Sequence, residues 1–168
     1  MAVLDIALMG NPILRQKAQP VPTDDIKSKQ FQQFLDDMIE TACQKPEAGY
    51  LTAGLAAPQV NKSTRVFLIM KPGATSANPG FNVYINPEIE ITTNELVTGF
   101  ESCLSTPSIG GEVKRYSEIE LKYQDRKEIS HKEIFSGEFA VYIQHEYDHL
   151  EGILWIDKVT DTKTITYC

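Results

Sequence analysis

The sequence is poor in positive charge. Sixteen Lys and Arg stand against 23 Asp and Glu, for a formal net charge of −7. No stretch reaches the basic density that phosphate contacts require, so no nucleic-acid partner is expected. Long apolar runs are missing too, since none approaches the roughly 20 residues of a membrane helix. The opening stretch, MAVLDIALMGNPILRQKAQ, lacks a basic flank and is broken early by Asp5, so it does not read as a secretory leader. No membrane binding is expected, and the expected location is cytoplasmic. Cysteine is scarce. Cys43, Cys103 and Cys168 are odd in number and widely spaced, which speaks against a disulfide framework and fits reduced thiols. No internal repeat or low-complexity tract interrupts the chain.

What is present suits a folded domain. The 168 residues fit a single domain, 1–168, and 42% hydrophobic residues can build its core. Asn11-Pro12 can start a short helix, with Pro12 at its first position. Asp24 or Asp25 can cap the next helix. There Phe31, Phe34, Leu35, Met38, Ile39 and Ala42 recur at helical spacing as a core-facing stripe, ending before Pro46. RVFLIM (65–70) and FNVYINPEIEI (81–91) read as strands, the second broken at Asn86-Pro87. SEIELKYQDR (117–126) and KEISHKEIF (127–135) read as a hairpin. GFESCLSTPSIGG (99–111) reads as loop-like. From Ser136, a candidate N-cap, Phe139, Tyr142, Ile143, Tyr147 and Leu150 mark a last helix that Gly152 stops. The fold class is α+β: mixed, mostly antiparallel sheets around a central metal-binding helix.

That helix carries QHEYDHL (144–150). His145 and His149 lie one turn apart on one face, so both can bind one ion. Glu146 stands beside them, where it can take a proton from a water that the ion acidifies. This is the logic of H-E-x-x-H metallohydrolases. A hydrolytic site keeps three protein ligands and an open position. The third remaining histidine, His131, lies on a charged strand and is expected to be exposed. Downstream there is only Glu151 and the acids of the tail, which disfavours an endopeptidase with a downstream ligand. Upstream, Cys103 lies among Glu101, Ser102 and Ser105, and a thiolate suits zinc or ferrous iron. A buried, merely apolar cysteine is the plainer reading of Cys43.

Three segments together, AGLAAPQV (53–60), ESCLS (101–105) and QHEYDHL (144–150), closely resemble the motifs of the peptide deformylase family, in order and spacing. The opening residues fit as well, and the resemblance runs to about Lys158. It implies a hydrolase that removes the formyl group from formylmethionine at the start of nascent polypeptides. It implies Cys103, His145 and His149 as metal ligands and Glu146 as general base and acid. Gln59 and the backbone N–H of Leu104 would stabilise the oxyanion. Gly54 and Leu55 would pair with the substrate backbone as an added strand, and Glu101 would touch its N-terminal main chain. Ferrous iron is the family's usual ion, and zinc, nickel or cobalt can replace it. The implied partners are N-formylmethionyl peptides and nascent chains, with a transient ribosome contact. Asp148 would either orient a ligand histidine or pair with Arg115. Tyr142 and Ile143 would wall the methionine pocket. Ser102 and Thr52 stand where the family usually has glycine, PEAGYLT (46–52) is a long run-in, and the tail is short, all of which bear on subtype and substrate range.

Overall fold

The computed structural model describes residues 1–44 and 52–168, so PEAGYLT lies outside the described residues except for Thr52. Asn11 caps a 3-10 turn at Pro12–Arg15, its side chain accepting from the Ile13 N–H. Two helices follow, α1 at Thr23–Ile26 and α2 at Lys29–Gln44. The acids expected to cap α2 sit instead in the first turn of α1. Ser28 takes the capping role, its hydroxyl accepting from the Phe31 N–H at 3.2 Å.

Eight strands among the described residues form the sheets: β1 Gly54–Ala56, β2 Val66–Met70, β3 Phe81–Ile91, β4 Leu96–Cys103, β5 Thr106–Tyr116, β6 Glu118–Gln124, β7 Ser130–Ser136 and β8 Thr166–Tyr167. One sheet has the order β1-β2-β3-β6-β7 and the other β4-β5-β8, with every neighbouring pair antiparallel. The expected break at Asn86-Pro87 is a bulge inside one continuous strand. The register shifts between Ile85 and Glu88, Asn86 takes a left-handed φ of 50°, and its amide holds the Val21 N–H and C=O. The segment read as a loop around Cys103 is a hairpin. β4 and β5 pair through eight positions and turn at Leu104-Ser105. Its glycines and serines mask strand character that pairing, and not propensity, creates.

At β1 and β2 the five-stranded sheet is buried on both faces. Val66 and Leu68 face Leu35, Met38 and Ala42 of α2. Phe67 and Ile69 face Ile143 and Leu150 of the last helix, α3, Glu138–Leu150. That is why RVFLIM is apolar without alternation. The N-cap of α3 is Gly137 (φ 62°), not Ser136, and Gly152 (φ 74°) ends the helix as expected. A third cluster, Cys103, Val113 and Trp155, packs the β4–β5 hairpin onto the 3-10 turn Trp155–Lys158. The Trp155 indole donates to Thr106 Oγ1 at 2.8 Å. No described helix is long and apolar enough to cross a membrane.

Candidate functional site

Two elements meet at the site. α3 presents His145, Glu146 and His149, and the end of β4 presents Cys103. The ligand atoms of Cys103, His145 and His149 lie within 4.8 Å of one another. Cys103 Sγ is 3.3 Å from His149 Nε2. Metal–sulfur and metal–nitrogen bonds of about 2.3 and 2.1 Å at a tetrahedral angle put two ligand atoms roughly 3.5 Å apart, so these residues fit one ion. The expected exposed histidine, His131, is half-buried, stacked on Tyr123 and 3.0 Å from Asp125, far from this role.

The cage is braced by a buried charge network. His145 Nδ1–H donates to Glu101 Oε2 at 2.7 Å, which turns Nε2 toward Cys103. Arg115, on β5 and 3% exposed, grips both Glu101 oxygens at 2.7 and 2.8 Å and reaches across to Asp148 on α3. Asp148 also meets Lys158 at 3.4 Å. Of the two roles open to Asp148, the pairing with Arg115 is the one present, and the orienting of a ligand histidine falls to Glu101. Burial alone would raise Glu101, but Arg115 and His145 hold its carboxyl down to about 2. Both its oxygens are engaged, by Arg115 and His145, and the residue also lines the cleft.

The two histidines are driven apart. Burial opposes charge on His145, yet its hydrogen bonds to Cys103 and Glu101 carry it well above the ordinary imidazole range. Burial, then the neighbouring His145, pushes His149 well below that range.

Gln59 is buried, 2% exposed, in the 3-10 turn Ala57–Val60. Its Oε1 accepts the Ala56 N–H at 2.8 Å, which fixes the amide orientation. Nε2 then donates toward Cys103 Sγ at 3.2 Å and Ser105 Oγ at 3.4 Å. The Ser105 N–H adds a second donor to the sulfur at 3.4 Å. Ser105 entered the sequence reading only as a polar neighbour of Cys103, with no role given to it.

β1 is the edge of its sheet. The Met70 N–H bonds to the Ala53 carbonyl, so Ala53 and Leu55 spend their backbone groups on β2, while those of Gly54 point the other way. Leu55, expected to bind substrate, is turned into the core and lies outside the cleft wall. Gly54 has a further reason to be glycine. A Cβ there would lie 2.5 Å from Glu146 Oε1 and 2.6 Å from its Cγ. Thr52, buried, donates its hydroxyl to the Gly54 carbonyl at 3.1 Å. β4 is likewise an edge strand, and the cleft lies between the two edges.

The cleft has a volume of about 130 Å³. Leu104 lines it beside the cage, Ser102 and Phe100 line it from β4, and Val141 and Tyr142 from α3. Ile143 is not a wall but fully buried core. Val141 and Tyr142 stand four residues before His145 and Glu146, on the same helix faces. That spacing was legible, although Val141 was overlooked.

A family model described as polypeptide deformylase matches residues 3–164. The peptide deformylase of Leptospira biflexa is 34% identical over 172 residues, covering 99% of this chain and 93% of the relative. Peptide deformylase 2 of a Nostoc species is 39% identical over 171 residues, covering 98% and 90%. Among solved structures, a Met-Ala-Ser-bound class I type b peptide deformylase from Acinetobacter baumannii superposes with a TM-score of 0.84. It is 33% identical, and the match covers 94% of this chain and 99% of that one.

Proposed function

The chain belongs to the polypeptide deformylase family, and on that premise we propose how its residues remove the formyl group from the N-terminal methionine of a nascent polypeptide and release formate. Cys103, His145 and His149 hold one divalent ion. Bound there, the ion supplies Lewis acidity to the formyl carbonyl and makes water a competent nucleophile near neutral pH. Glu146 takes the proton of the attacking water and returns it to the departing amine. Gln59 Nε2–H and the Leu104 N–H donate to the oxygen that becomes negative at the formyl carbon. The outward N–H and C=O of Gly54 pair with the substrate backbone, which lies as an extended strand between the edges of β1 and β4. The methionine side chain enters the space beside Val141 and Tyr142.

The cage of one sulfur and two imidazoles, with Glu146 pressed against Gly54, carries this reading. A thiolate with two imidazoles suits ferrous iron, the proposed native ion, and equally zinc, nickel or cobalt. Residues 1–168 act as a single catalytic domain in the cytoplasm, meeting chains at the ribosome through transient contact. The Met-Ala-Ser held by the Acinetobacter relative corresponds to the deformylated product of formyl-Met-Ala-Ser.

The test is amine and formate release from formyl-Met-Ala-Ser by protein loaded anaerobically with ferrous iron or, separately, with zinc. Turnover with iron is expected. Stoichiometric metal without turnover in either form would overturn the reading. Cys103→Ala should lose both metal and rate, and a full metal complement in that variant would remove Cys103 from the ligand set.

A further inference from the structure

Phe100 is an exposed aromatic at the mouth of a catalytic cleft. The residue is 53% accessible, yet it lines the cleft. The ring is also fixed. It lies over Gly110, where an added Cβ would come within 2.5 Å of two ring atoms and 2.7 Å of the Glu101 carbonyl. Only glycine leaves room for the ring to lie flat there. An ordered apolar surface facing water at this point has nothing from the described chain to cover it from above.

The pairing of β4 defines what meets it. Opposite residues share a face, so Phe100 and Glu112 form one pair and Ser102 and Gly110 the next, all on the outer face. Glu101 and Cys103 alternate onto the inner, buried face with the cage. A peptide extended along this edge alternates in the same way. If its first side chain points inward beside Val141 and Tyr142, its second points outward. The second side chain then lies on the outer face, the face of Ser102 and of the Phe100 ring that leans over Gly110 opposite it.

We infer that Phe100 is a specificity-determining residue that forms a shelf for the side chain following the formylmethionine, favouring apolar residues there. The exposed carboxylate of Glu112, directly opposite Phe100, makes an acidic second residue the poorest fit. This inference rests on the deformylase reading above and adds to it a ranking of substrates.

The test compares kcat/KM for formyl-Met-Leu-Ser and formyl-Met-Asp-Ser, using zinc-loaded full-length protein, so that the cage and the methionine pocket cancel in the ratio. Wild type should prefer the Leu peptide. Phe100→Ser should reduce that preference by about three- to tenfold, the range of an aromatic side-chain contact. Phe100→Leu should keep most of it. Phe100→Lys should move it toward the Asp peptide. An unchanged ratio in Phe100→Ser and Phe100→Lys, with turnover intact, overturns the inference alone. Failure of wild type to deformylate either peptide overturns the reading beneath it.

Discussion

Glu146 owes its position to an atom that is missing elsewhere. The carboxylate occupies the space a side chain at residue 54 would fill, with 2.5 Å between Oε1 and the would-be Cβ. The proposed base and the backbone proposed to pair with substrate are therefore in contact, and neither can change without the other. Gly54→Ala should lower kcat by about a hundredfold, because a misplacement of about 1 Å costs that much, while metal content stays full. Glu146→Gln keeps the shape and removes the base. It should retain metal and lose about 10²–10⁴-fold in rate, and metal analysis beside steady-state kinetics checks both variants. Gln59 carries a comparable constraint. Its amide is useful only because the Ala56 N–H claims Oε1 and leaves Nε2 for the cleft. From the sequence alone Gln59 could be assigned only by resemblance, since no spacing rule anticipates that turn.

At the scale of elements, the site depends on how β4 and β5 are fastened to α3. Arg115 is the fastener, with one side of its guanidinium on Glu101 and the other on Asp148. It touches no ligand, yet it fixes the distance between the strand that carries Cys103 and the helix that carries the histidines. Arg115→Met should weaken metal binding by about 10–100-fold, measured by competition with a chromophoric chelator, and leave Glu146 in place. Helical periodicity revealed α2 and α3, and alternation revealed β6, because in those elements the buried stripe is written in Leu, Ile, Phe and Met; β7, with no fully buried residue, was legible only as the hairpin partner of β6. The β4–β5 hairpin was not legible. Its inner face is Glu101, Cys103, Val113 and Arg115, a polar core whose pairing becomes visible only once the partners are in place. Cap positions slipped for a related reason. Ser28 and Gly137 cap α2 and α3 through local backbone geometry that neighbouring Asp24, Asp25 and Ser136 mimic in composition. The H-E-x-x-H pair, by contrast, was fully legible, since its spacing is a property of the helix itself.

At the scale of the molecule, an ion in the cage joins the β4–β5–β8 sheet to the helix that packs on the larger sheet. An ion that binds only the folded chain stabilises it by mass action, about 2.7 kcal/mol at a hundredfold excess over Kd. Chelation should therefore lower Tm by about 5–10 °C for a chain of this length, read by calorimetry and by emission of the single tryptophan, Trp155. An unchanged Tm would mean that the two sheets are joined without the ion. The histidine at 149 follows Cys103 by 46 residues, and β5, β6 and β7 lie between them. The cage therefore joins the first of two hairpins to the helix that follows the second, and it is complete only with α3 in place. On the proposed ligand set, a chain interrupted anywhere before α3 has one of the three ligands and no Glu146, so ion binding and hydrolysis are expected to arrive in one step, with that helix.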